Sequence, residues 1–209
     1  NAIAYRLNGP QAGALIDPAG GRDDLAAGLV RVLHAGSFAD DPSRILRAVR
    51  YAARLGFSLE RTTTEWATAA AGRVDPANAR VGEELRRLLH EEQAAAALDL
   101  AARLGVPWIC PDSATLRAHF GALDDVLALP GAPQQPRWAL RLGFAMRPEA
   151  IEHVAVDGWA RGLARNAAEG ADLAEQIAGI TRPSQLDALL RTQPPARVVA
   201  ACVFGATLV

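Results

Sequence analysis

Apolar residues recur with a helical period along most of the chain after residue 41. At about 100° per residue, positions 41–55 put Ile45, Leu46, Ala48, Val49, Ala52 and Ala53 on one face. Arg44, Arg47, Arg50 and Arg54 fall on the opposite face. Pro42 suits the first helical position and Gly56 the stop. Further helices are predicted at about Thr63–Ala71, Asn78–Glu91 and Glu92–Leu104, the last closed by Gly105. Proline-punctuated helices follow at about 113–128, 136–145, 148–165 (with a break near Gly158), 167–179 and 183–191, with a loop at 130–136. The first 35 residues read differently. Residues 1–6 suggest a helical stub, Asn8-Gly9-Pro10 a turn, and Ala14–Ile16 and Arg31–Leu33 short strands. Between them a short helix runs from Asp23 to about Val30, with its acids at the N-terminal end. No other strand-like run is expected before the C-terminal residues. The fold class expected is mainly α, a helical array preceded by a small α/β segment.

Composition narrows the class without naming a function. The 209 residues carry a net charge of −1, with 50% hydrophobic and 22% charged residues. That allows one or two compact domains with a real core and excludes disorder or a disulfide scaffold. No apolar run is long enough to span a bilayer and no signal peptide is visible, so a cytoplasmic protein without a membrane partner is expected. Cys110 and Cys202 are read as two buried, reduced thiols. His34, His90, His119 and His153 show no metal-ligand spacing and read as structural. The chain begins at Asn1, and both ends fall within patterned sequence, so it is read as a piece of a longer protein of unknown oligomeric state. All 22 basic side chains are arginine. GC-rich coding accounts for that, but the guanidinium fork also suits phosphates and base edges. With near-zero net charge, any nucleic-acid surface must be local.

Asp41 and Arg44 are the candidate chemistry. Three apart at a helix start, they can lie side by side. A carboxylate accepts hydrogen bonds and a guanidinium donates them. Cytosine and adenine each present an amino donor beside a ring-nitrogen acceptor, which matches that order. Uracil and guanine present a carbonyl beside an N–H, the reverse order, at a cost of about 1–3 kcal/mol per unsatisfied group. The pair therefore suits selection of C and A without a template. Asp41 is equally suited to cap the helix ahead of Pro42, and the arginine face equally suited to face solvent. On these residues alone the readings stay open.

The run Asp40-Asp41-Pro42-Ser43-Arg44, followed by Arg47 and Arg50, resembles the fourth motif of the class II tRNA nucleotidyltransferases and poly(A) polymerases, Glu-Asp-x-x-Arg then x-x-Arg-x-x-Arg-Phe. Asp40 departs from the usual Glu, and Ser43 from a usual leucine or alanine. Asn1-Ala2 resembles the end of the motif Arg-Arg-Asp-x-x-x-Asn-Ala, and Leu15–Leu25, with Gly20-Gly21, resembles the third, hinge-like motif. Phe57 followed by Thr63 fits the spacing after the fourth motif. Arg80-Val81-Gly82-Glu83-Glu84-Leu85 is looser, because Ala79 stands where Glu is frequent in the fifth motif. The resemblance covers roughly residues 1–105.

The resemblance implies a division into a remnant of the catalytic head (1–35), a helical neck (36–105) and a helical body (106–209). It implies that Asp41 and Arg44 read the incoming base and that Arg47 and Arg50 bind the nucleotide. Arg80 and Glu84 would form an i, i+4 pair shaping the neck, and Gly20 and Gly21 a hinge. It implies template-independent addition to tRNA 3′ ends with CTP and ATP. The Mg²⁺ would be held by carboxylates upstream of Asn1, so no catalytic or metal-binding residue is assigned within the chain. On that view the chain alone is inactive. Arg137, Arg141, Arg147, Arg161, Arg165, Arg182, Arg191 and Arg197 are candidate RNA contacts in the body. The alternatives are a bacterial poly(A) polymerase, a helical RNA-binding module without catalysis, or a helical interaction protein.

Overall fold

The computed structural model describes residues 3–110 and 113–207. The expected motif end at Asn1-Ala2 lies outside them. The chain opens with β1 (Ala4–Tyr5), antiparallel to β2 (Leu15–Ile16), with Ala4 opposite Ile16. This replaces the expected helical stub. Gly9 and Gly13, at φ 83 and 84, turn the chain back, and Arg6 exchanges backbone hydrogen bonds with Ala14 and Gly13 at 2.9 and 2.8 Å. Next come α1 (Gly21–Ala27) and β3 (Leu29–Val30). They are followed by α2 (Ser37–Asp40), α3 (Arg44–Leu55) and β4 (Ser58–Leu59). Strand β3 lies two residues before the expected run and pairs in parallel with β4. Strand β4 was not anticipated, because two residues are too few to show alternation.

Helix α3 buries Ile45, Leu46, Ala48, Val49 and Ala52, as its pattern requires. It stops at Gly56, whose left-handed backbone (φ 66) lets its N–H reach the carbonyls of Ala52 and Ala53. Then come α4 (Arg61–Ala70), a 3₁₀ turn (Ala71–Arg73), α5 (Ala79–His90) and α6 (Ala94–Arg103). Glu60 caps α4 by accepting from Thr63 N at 2.9 Å, and Asn78 caps α5 by accepting from Arg80 N at 2.9 Å. The remaining helices are α7 (Ser113–Ala128), α8 (Arg137–Ala145), α9 (Pro148–Ile151) and α10 (Gly158–Ala168), then α11 (Gly170–Ala178), α12 (Pro183–Arg191) and α13 (Pro195–Thr207). The helix expected at 148–165 with a break near Gly158 is two helices, the second starting at Gly158, with residues 152–157 between them. The C-terminal run is helical, with Ala196, Val199, Ala200 and Val203 buried at helical spacing.

The fold is mainly α with a small strand-containing start. Helix α3 packs on α5 and α6, α5 on α8, and α8 on α10; α13 packs on α7, α10 and α11. One cluster of buried side chains runs from Phe38 to Val203. Arg141, named above as a candidate RNA contact, is buried instead. It donates to the carbonyls of Leu89 and Glu91 at 3.1 and 3.2 Å, pinning α8 to the C-terminal end of α5. The thiols also depart from expectation: Cys110 is half-buried and Cys202, on the outer side of α13, is exposed. Among the described residues no helix is long and apolar enough to cross a membrane.

Candidate functional site

The turn from α2 into α3 and the outer face of α5 enclose a cleft of about 490 Å³. Asp41, Ser43, Arg44 and Arg47 line one side, and Arg80, Glu83, Glu84 and Arg87 the other. Asp41 has an extended backbone (φ −150, ψ 96) ahead of Pro42, the geometry of a cap. Its Oδ1 accepts from Ser43 N at 3.1 Å and from Ser43 Oγ at 2.6 Å. Its Oδ2 accepts from Arg80 Nη1 at 2.9 Å. Burial pushes the Asp41 carboxyl up, but the hydrogen bonds from Ser43 and Arg80 outweigh it and hold the group below the usual carboxylate range. A carboxylate has about four lone-pair positions, and three are used here. The fourth remains for a donor entering the cleft.

Arg44 does not pair with Asp41. It is exposed and donates from Nη1 to the Ser37 carbonyl at 3.2 Å, leaving most of its five donors for a ligand. Arg47 is about one-third exposed and reaches Glu84 Oε1 at 3.4 Å. Arg50, expected on the same open face, is buried. It lies between Glu84 (Nη2 to Oε2, 3.3 Å) and Glu91 (Nη1 to Oε1, 3.0 Å). Desolvation acts to lower the Arg50 pKa, but the hydrogen bond that Arg50 donates to Glu91 and the charge of Glu84 more than reverse it. The guanidinium carbons of Arg47, Arg50 and Arg54 lie 5.3, 4.6 and 4.8 Å from the Tyr51 ring centroid.

The expected Arg80–Glu84 pair is not formed. Arg80 crosses to Asp41, and Glu84 takes Arg47, Arg50 and Arg87 instead. Glu84, on the buried side of α5, faces α3, whereas Arg80 lies where α5 meets the Asp41 turn. Sequence reasoning also missed Ser43, treated above only as a departure from a pattern. Its side chain and N–H together fix one Asp41 oxygen. Arg87 and Glu91 were missed as well; the i, i+3 spacing of Glu84 and Arg87 was the available signal.

At the other expected element, Gly20 has φ 69 and precedes α1. Asp17 accepts from the N–H groups of Gly21 and Arg22 at 2.7 and 2.9 Å. Those two backbone hydrogen bonds, larger than the opposing burial, hold the Asp17 carboxyl below its usual range. Among the described residues, no group of three or more His, Cys, Asp or Glu side chains is placed to hold a metal ion.

The class of structure the chain presents is a helical array with an arginine- and carboxylate-lined cleft at the turn into a helix. No protein-family model matches the chain. The chain is 43% identical over 91 residues to the A-adding tRNA nucleotidyltransferase of Halalkalibacterium halodurans, a match covering 44% of this chain and 21% of that protein. It is 40% identical over 91 residues to the CC-adding tRNA nucleotidyltransferase of the same organism, covering 43% of this chain and 23% of that one. Its fold matches a CCA-adding enzyme solved with ATP at a TM-score of 0.78 and 25% identity, covering 98% of this chain and 53% of the other. Over these stretches the chain is similar to tRNA nucleotidyltransferases. The matched stretches span less than a quarter of the length of these two relatives.

Proposed function

We propose that this chain supplies base selection and RNA binding to a template-independent tRNA 3′-end nucleotidyltransferase that uses CTP and ATP in the cytoplasm. In this reading residues 1–35 belong to a catalytic head, 36–105 form the neck and 106–209 the body. The hinge lies at Gly20-Gly21. The observation that carries the reading is the arrangement of Asp41 and Arg44 at one cleft. Asp41 keeps one acceptor position, and Arg44 keeps an exposed fork beside it. The amino group of cytosine or adenine would donate to Asp41, and the neighbouring ring nitrogen would accept from Arg44. A uracil or guanine edge would set a carbonyl against the carboxylate. Arg47 would meet the rest of the nucleotide, and buried Arg50 would act through the Glu84 and Glu91 pairs that hold the site's shape. The described residues do not fit a metal site. The Mg²⁺ of nucleotidyl transfer would be bound by another part of the polypeptide.

The test is a nucleotide titration of residues 1–209, followed by NMR. CTP and ATP should perturb residues of the Asp41 cleft, and UTP and GTP should bind about tenfold more weakly, consistent with one unsatisfied group. Asp41→Asn should keep the melting temperature, because asparagine caps as well as aspartate, and should lose the preference. Equal binding of all four nucleotides to the wild type, or an intact preference in both Asp41→Asn and Arg44→Ala, would refute the assignment.

A further inference from the structure

The cleft at Asp41 does not end at α3. Along the outer face of α5 it adjoins a second cleft of about 310 Å³, and Ala79 and Glu83 line both. Trp138, Arg86 and Asp157 close the second cleft. Arg86 in turn borders a third, of about 320 Å³, with Arg87 and His90. Three aromatic rings stand in series beside this path. His90 stacks on Trp138 with centroids 5.8 Å apart and an interplanar angle of 27°. Trp138 meets Trp159 edge to face at 5.7 Å. The outermost ring, Trp159, is 52% exposed.

The surroundings of Trp159 keep it open. Gly158 precedes it, and Gly162 follows one helical turn later on the same side of α10. A Cβ at either glycine would meet no other atom within 4 Å, and neither has positive φ. Packing and backbone conformation therefore require neither glycine, although glycine is a poor helix former. Neither glycine carries a side chain that could reach over the exposed indole.

We infer that Trp159, backed by Trp138 and His90, is a stacking platform for an unpaired base of the RNA strand whose 3′ end is extended beside Asp41. From Arg80 to His90 the helix rises about 15 Å. At about 3.4 Å per stacked nucleotide, the path takes about four unpaired nucleotides between the base-reading cleft and the aromatic series. Arg86 and Arg87 line that path, with their forks oriented by Glu83 and Glu84. Flat aromatic faces next to guanidinium groups are how proteins hold single-stranded RNA without reading its sequence. The inference rests on the RNA-binding role proposed above.

The test measures binding of a 5′-labelled single-stranded RNA hexamer, and of a blunt RNA duplex, to the full chain. Trp159→Ala should weaken hexamer binding about tenfold, within the range for loss of one base stack. Trp159→Phe should stay within about threefold, because the aromatic face is kept. Duplex binding should change little in either variant. Gly162→Leu, which favours the helix but covers the ring, should weaken the hexamer as well. Indole fluorescence should be quenched by the hexamer in the wild type and much less in Trp159→Phe. Hexamer affinity in Trp159→Ala within twofold of wild type, or equal loss for hexamer and duplex, would overturn the platform. If CTP and ATP selection at Asp41 were intact in that experiment, the platform alone would fall. If selection were absent in the wild type, the proposed function would fail independently.

Discussion

Single carboxylates in this chain hold backbone N–H groups and face arginines at once. Asp41 holds the turn into α3 through Ser43 and also lines the cleft, where its other oxygen meets Arg80, so fixing the turn does not withdraw it from the cleft. The two hydrogen bonds from Ser43 fix the direction of the carboxylate, as the proposed base-reading role requires. Glu60 shows the same economy without a ligand. It accepts from Thr63 N at 2.9 Å and Thr63 Oγ1 at 3.2 Å at the start of α4, and it faces Arg31 at 3.5 Å. Hydrogen bonds from the Thr62 and Thr63 backbone, against a smaller opposing effect of burial, lower its pKa from 4.5 to about 2. A carboxyl depressed in the folded state contributes stability that is complete above the unfolded value and is lost as pH falls towards the folded one. The Glu60 contribution should therefore be full above pH 4.5 and disappear as pH approaches 2. Urea denaturation of wild type and Glu60→Gln across that window checks it. The stability difference between them should shrink steadily with acid, and a constant difference would rule the linkage out.

At the scale of elements, the junction of α3 and α5 shows what was legible in the sequence and what was not. The period of α3 placed Ile45, Leu46 and Val49 in the core and Arg44 and Arg47 outward, because helical geometry alone decides those directions. The same period put Arg50 outward, and it is buried. Its partners Glu84 and Glu91 lie 34 and 41 residues away, beyond the reach of any local pattern. The supposed Arg80–Glu84 pair failed for the same reason: each had a closer partner on another element. Helix existence was readable; cross-element pairing and two-residue strands were not. The buried Arg50–Glu84 contact should behave as a charge pair that is costly to break from one side. Glu84→Ala should destabilise by about 3 kcal/mol, the low end for such pairs because Glu91 still faces Arg50. Replacing both residues by methionine should cost less than that single change, since no unpaired charge is left buried. A double-mutant cycle by urea denaturation decides it, and additive losses would show that the pair is not coupled.

Across the whole molecule, the cleft keeps its shape only if α5 is held from behind. Several contacts do this. Arg141 of α8 caps the C-terminal carbonyls of α5, Trp108 Nε1 donates to Val74 O at 2.6 Å, and Ala155 N donates to Pro76 O at 2.8 Å. At Gly82 the residue 152–157 segment presses on α5 so closely that an added Cβ would lie 2.0 Å from Ala155 O, a backbone atom that cannot turn aside. Gly121, in the middle of α7, is the contrasting case, with nothing within 4 Å of an added Cβ. Alanine is the better helix former at both positions by about 1 kcal/mol, so intrinsic propensity predicts the same sign for both. Packing reverses it at one. Gly121→Ala should raise the melting temperature by a few degrees, as about 1 kcal/mol does in a chain of this size. Gly82→Ala should lower it, because overpacking costs about 1–3 kcal/mol, and should broaden the NMR signals of Asp41 and Arg44 because α5 carries the Arg80 side of their cleft. Calorimetry of the two variants should show a single main transition in each, because the main core joins the helices packed on either side of α5. If Gly82→Ala split the transition in two, the core on either side of α5 would be unfolding separately, and the rear contacts would not be what holds the cleft.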